Sequence, residues 1–71
     1  TGYTIKCPLP GTVLSINVKV GDTIATGQTL VILEAMKMEN NIDADRAGVV
    51  KQIFVQQGAT VMEGDNLILI E

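Results

Sequence analysis

Sliding the chain against itself by 37 positions lays one half on the other without a gap. Residues 2–34 fall on residues 39–71, and ten of the 33 aligned pairs are identical. The identities are Ile5 with Ile42, Gly11 with Gly48, Val13 with Val50, Ile16 with Ile53, Val18 with Val55, Gly21 with Gly58, Thr23 with Thr60, Gly27 with Gly64, Leu30 with Leu67 and Glu34 with Glu71. Ile24 with Val61 and Val31 with Ile68 are conservative. A chain duplicated in this way is expected to fold as one domain, residues 1–71, with pseudo-twofold symmetry. Its half-repeats are 2–34 and 39–71, and the four residues 35–38 stand between them.

The local pattern decides what each half is made of. Val, Ile and Thr recur in short runs broken by Gly, Pro, Asn and Asp, which is the signature of short strands joined by tight turns, and no segment has a helical period. Each half reads as four strands: 3–7, 12–18, 23–25 and 29–34, then 39–44, 49–55, 60–62 and 66–70. The last strand of the first half should pair with the first strand of the second through a hairpin at 35–38. By symmetry the last strand of the chain should pair with the first. That puts both termini at one end of the domain and the hairpin at the other. Glycines repeated at turn positions predict positive φ at Gly21 and Gly58, and at Gly27 and Gly64. Pro8 and Pro10 precede a strand, where a missing N–H is harmless. The apolar parity slips between Val13 and Ile16 and again between Val50 and Ile53. Either a β-bulge sits at Leu14-Ser15 and at Lys51-Gln52, or Val13 and Val50 face outward.

Composition narrows the function. A 71-residue domain leaves a large share of its surface exposed, so the 46% hydrophobic content is needed for a core. No apolar run nears the roughly 20 residues of a membrane span, and no direct membrane insertion is expected. A net charge of −3 argues against nucleic acid, whose binding rests on Lys and Arg. With no His and one Cys, the chain carries neither the usual zinc ligands nor a nucleophile–base pair, and no catalytic residue is assigned. Cys7 is expected to pack as a small hydrophobe. The unpaired thiol suggests a reducing, cytoplasmic setting. There is no signal-peptide pattern. The start at Thr1 suggests a piece of a longer protein.

Lys37 stands out. It is a cation at the tip of the segment outside the repeat, between Met36 and Met38, with Glu34 and Glu39 beyond them. It is either a solvated turn lysine whose methionines fold back to the core, or an amine presented for covalent modification. The long stem and modifiable amine of lysine suit the second. Glu34 and Glu39 read as solvated strand ends.

The run Glu34-Ala35-Met36-Lys37-Met38-Glu39 resembles the biotin attachment sequence of biotin-carboxyl-carrier domains, the shuttle modules of biotin-dependent carboxylases, decarboxylases and transcarboxylases. Pro8-Leu9-Pro10-Gly11, Val20-Gly21-Asp22, Gly27-Gln28 and Gly64-Asp65 are similar to other marks of that family, so the likeness covers nearly the whole chain. It implies an all-β fold, a flattened barrel of two four-stranded antiparallel sheets. It implies biotin joined as an amide to Lys37 by a biotin protein ligase, with Ala35, Met36 and Met38 completing the attachment site. The arm would then carry carboxyl groups between a biotin carboxylase site and a carboxyltransferase or decarboxylase site. Met36 and Met38 would serve ligase or partner recognition, or else close the end of the barrel. The sister lipoyl domains usually carry Asp-Lys-Ala at this point, and the methionines here favour biotin. Two halves that align without a gap leave no room for the protruding insertion of many acetyl-CoA carboxylase carriers. The resemblance implies that the ligase supplies the base that activates the amine and the carrier only its placement.

Overall fold

A computed structural model describes residues 2–71. The strands are β1 (Tyr3–Lys6), β2 (Gly11–Ile16), β3 (Thr23–Ile24), β4 (Thr29–Ala35), β5 (Met38–Asp43), β6 (Gly48–Ile53), β7 (Thr60–Val61) and β8 (Asn66–Ile70). They form two four-stranded antiparallel sheets, β1-β8-β6-β3 and β5-β4-β2-β7. Replacing each strand by its repeat partner turns the first order into the second. Each sheet takes two strands from each half, so the halves interlock and neither has a sheet of its own. No helix is long and apolar enough to cross a membrane.

The symmetry extends to individual backbone hydrogen bonds. The Cys7 and Gly64 segments exchange bonds (Cys7 N–H to Asp65 O, Gly64 N–H to Cys7 O), and Ala44 does the same with Gly27 and Gln28. Val13 is bonded to Gly58 and Ala59 as Val50 is to Gly21 and Asp22. Each half is thus stitched to the turns of the other. The four turn glycines have φ of 97°, 87°, 89° and 89° at Gly21, Gly27, Gly58 and Gly64, as their repetition predicts.

The bulges settle where Val13 and Val50 point. The register of β2 on β4 skips Leu14, and that of β6 on β8 skips Lys51. The extra residue turns Val13 and Val50 inward, and both are buried. A second matched pair of irregularities has no counterpart in the sequence reading: β4 skips Leu30 against β5, and β8 skips Leu67 against β1. It lets consecutive residues, Leu30-Val31 and Leu67-Ile68, all be buried, which strict alternation forbids. With Ile24, Leu33, Val61 and Ile70 they fill the space between the sheets. Burying an aliphatic side chain of this kind contributes about 1.5–3 kcal/mol. Cys7 is buried as expected, its Sγ donating to the carbonyl oxygen of Leu9.

Strand directions place the ends. β4 climbs to Ala35 and β5 descends from Met38, while β1 begins and β8 ends where Tyr3 pairs with Ile70. Gly11, the start of β2, lies beside Glu34 and Ala35. Its repeat partner Gly48 lies beside Ile70 and Glu71. The hairpin therefore caps one end of a body measuring 33 × 18 × 17 Å, and Tyr3 and Ile70 lie at the other.

Candidate functional site

The β4–β5 ladder runs unbroken from Val31↔Ile42 through Leu33↔Asn40 and Glu34↔Glu39 to Ala35↔Met38. Only Met36 and Lys37 remain to turn the chain, so the hairpin is one ladder pair longer than residues 35–38 alone suggest. A two-residue hairpin loop needs a backbone twisted to match its strands, which means φ > 0 at both central positions in a type I′ turn. Met36 has φ 54° and Lys37 has φ 63°, and they are the described non-glycine residues with positive φ. Asn-Gly is the usual occupant of such a turn. Each L side chain held there costs about 1–2 kcal/mol. The lysine is therefore held at some energetic expense on a short rigid turn, and strain of this kind clusters at functional positions.

The side chains divide by face. Lys37 is exposed, and among the described residues no carboxylate is within ion-pair distance of it. Met36 is 91% exposed and Met38 67%. Neither folds back to close the barrel, so that alternative and the methionine-anchored turn are both set aside. Ala35 is buried, and a Cβ added at Gly11 would come within 3.2 Å of its own. Its place is under the tip, where a larger side chain would push the turn away from β2. Asn40 braces the turn from below, its Nδ2 donating to the carbonyl oxygen of Met38 at 3.2 Å. Glu34 and Glu39 lie exposed on the ladder.

Lys37 lines neither of two surface grooves. The surface grooves lie elsewhere, one along Ile16–Lys19 and Asp22, the other between Tyr3–Lys6 and Ile42–Asp45. The described residues include no cluster of metal-ligating side chains. The sequence marked Lys37 and its neighbours but not the left-handed turn that holds them. The signal was available: a ladder closing on Ala35 and Met38 leaves two residues, and two residues demand it.

A family model described as Biotin-requiring enzyme, Biotin_lipoyl, matches residues 3–70. The chain belongs to the Biotin_lipoyl family. A biotin carboxyl carrier protein of Streptococcus mutans serotype c is 57% identical over 67 residues, which are 94% of this chain and 52% of that protein. The mitochondrial propionyl-CoA carboxylase alpha chain of Homo sapiens is 44% identical over 71 residues, all of this chain and 10% of that one. The chain thus spans about half the length of the first relative and a tenth of the second. The solved structure of a single-chain, multi-domain long-chain acyl-CoA carboxylase matches 96% of this chain and 7% of its own, with a TM-score of 0.91 and 32% identity. This Biotin_lipoyl domain has the two four-stranded antiparallel sheets that the resemblance implied.

Proposed function

We propose that this domain carries biotin as an amide on Lys37 and moves it between the active sites of a larger biotin-dependent enzyme. The observation that carries the reading is the placement of Lys37: exposed, on a two-residue turn with left-handed backbone, at the end of the barrel opposite the termini. The turn fixes where the stem leaves the domain, and the interlocked sheets keep that point from wandering. In loading, the neutral amine of Lys37 attacks the carbonyl of biotinyl-AMP held by a biotin protein ligase. An amide N–C bond forms, AMP leaves, and the amine's proton passes to a base of the ligase. The domain's charge goes from −3 to −4. When bound, biotin supplies a ureido nitrogen that accepts a carboxyl group at a biotin carboxylase site and releases it at a carboxyltransferase site, with a decarboxylase site the corresponding partner in a decarboxylase. Met36 and Met38 present a soft apolar surface on either side of the stem, of the kind adaptable interfaces use. Cys7, free and buried, fits a reducing compartment such as the cytoplasm.

The test is intact mass after co-expression with biotin ligase in the presence of biotin. One biotinoyl group is expected on the wild-type chain and none on Lys37→Arg. Incorporation into Lys37→Arg, a lipoyl group in place of biotin, or no addition to the wild type would overturn the reading.

A further inference from the structure

The pseudo-twofold axis exchanges the two ends of the barrel, so, residues 35–38 apart, positions near Lys37 have counterparts near the termini. That gives an internal control on surface chemistry. Phe54, at the open end of β6, is bonded through its N–H to Leu67 O. Its counterpart Asn17 is bonded in the same way to Leu30 O, both at 2.8 Å. Met62 has its N–H capped by the Asp65 carboxylate, as Ala25 has its own capped by the Gln28 amide oxygen. Leu9, in the link that leads into Gly11, corresponds to Arg46. The backbone is the same at both ends, but the side chains are apolar at one and polar or small at the other. Phe54 is 41% exposed and Met62 59%. With Met36 and Met38 they are four of the five large exposed hydrophobics, and all four lie at the lysine end. The fifth, Val20, is in the loop after β2, which turns back along the barrel to bond with Val50.

These residues lie at the same end of the barrel as the tip. Across the second sheet the row nearest the turn runs Met38, Ala35, Gly11, Val61, and Met62 follows at its far edge. β7 is two strand spacings from β4, about 10 Å. We propose that Phe54 and Met62, with half-buried Leu9 between the two sheets, extend the methionine tip into one docking face, and that its occupant is the enzyme that acylates Lys37. This inference rests on the attachment role given to Lys37 above. The choice of occupant follows from reach. A bare lysine offers only a four-carbon stem, so an enzyme that brings an activated carbonyl to its amine must close over the surrounding end of the barrel. An enzyme that receives the loaded arm is held off by its full length. Fold geometry alone requires none of these apolar side chains, since the other end of the same molecule does without them.

The experiment exchanges residues between ends. Phe54→Asn with Met62→Ala installs what the opposite end already carries on the same backbone, and thermal melting checks that the domain stays folded. Val20→Gln, which installs the residue found at the matching position 57, is the control. Biotin transfer from ligase to the unloaded domain is followed at varied domain concentration. For the double variant KM is expected to rise on the order of tenfold, as for loss of two apolar contacts in an interface, with kcat within about twofold. Val20→Gln is expected to leave both unchanged. Amide resonances of the unloaded domain are expected to shift at 36–38, 54 and 62 on adding ligase without ATP, and to stay still at 17 and 25. A folded double variant loaded at the wild-type kcat/KM overturns the docking face. So does an equal loss in Val20→Gln. Biotin retained in Lys37→Arg instead overturns the attachment reading itself.

Discussion

Glu34 and Glu39 stand directly opposite each other across the β4–β5 ladder, one pair below Ala35 and Met38. Like charges at facing positions of an antiparallel pair are destabilising, and here they lie one step from the strained turn. Glu39→Gln removes the repulsion and keeps the shape. Its Tm is expected to rise by about 1–4 °C at low salt, with the gain shrinking at high salt as the charges are screened. Calorimetry at two ionic strengths checks both parts.

The turn itself gives a stronger effect of the same sign. Replacing Met36-Lys37 by Asn-Gly gives the positive-φ positions residues that occupy them with little strain. The doubly substituted chain is expected to gain about 1–2 kcal/mol, a Tm rise of roughly 4–10 °C for a domain of this size, while losing all biotin incorporation. An unchanged Tm would mean the turn is not strained.

Beneath the turn, Gly11 is required by space. An added Cβ would lie 2.5 Å from the carbonyl oxygen of Glu34 and 3.2 Å from the Cβ of Ala35. Gly11→Ala is expected to cost about 1–3 kcal/mol, the usual range for overpacking. It should move the amide resonances of 34–38 more than those of 69–71. Gly48→Ala, which meets Ile70 and Glu71 in the same way, should show the opposite pattern in solution NMR.

At the other end, Tyr3 donates its hydroxyl to the carbonyl oxygen of Arg46, whose guanidinium lies 4.3 Å from the ring centroid. The Tyr3 pKa is raised above its ordinary 10.0, first by desolvation and then by the charge of Asp45, against the opposing charge of Arg46. The fold favours the neutral phenol. Its contribution to stability is full below pH 10 and is lost as pH climbs through the higher folded-state value. Tyr3 is the single tyrosine and there is no tryptophan, so phenolate absorbance reads it alone. Asp45→Asn is expected to lower the midpoint, because it removes a charge and a side-chain hydrogen bond that favour the neutral phenol.

Much of the fold was legible because the chain states it twice. The 37-residue repeat carried the succession of eight strands, the two pairings that join the halves, and the glycine turns, since each claim made for one half had to hold for the other; the order of strands within each sheet came from the structure. The bulges at Leu14 and Lys51 left a trace in apolar spacing. Those at Leu30 and Leu67 left none, because a run such as Leu30-Val31-Ile32-Leu33 is apolar throughout and hides where alternation breaks. Lys37 was legible from its place outside the repeat. The left-handed backbone at Met36 and Lys37 was not, since neither residue favours it and the ladder above Glu34 enforces it. Phe54 and Met62 were hidden for another reason: they lie 17 and 25 residues from Lys37 in the chain, and only the folding of β6 and β7 brings them to its end.

The interlocked sheets also bear on timing. β8, the last strand, lies between β1 and β6 inside its sheet, so a growing polypeptide that has reached residue 60 has no first sheet to complete. Such non-local pairing forms late. Lys37 leaves the ribosome some thirty residues before Ile70, but the core between the sheets lacks Leu67, Ile68 and Ile70 until that strand is in place. A ligase that recognises the finished end of the barrel would thereby be kept from marking an unfinished chain.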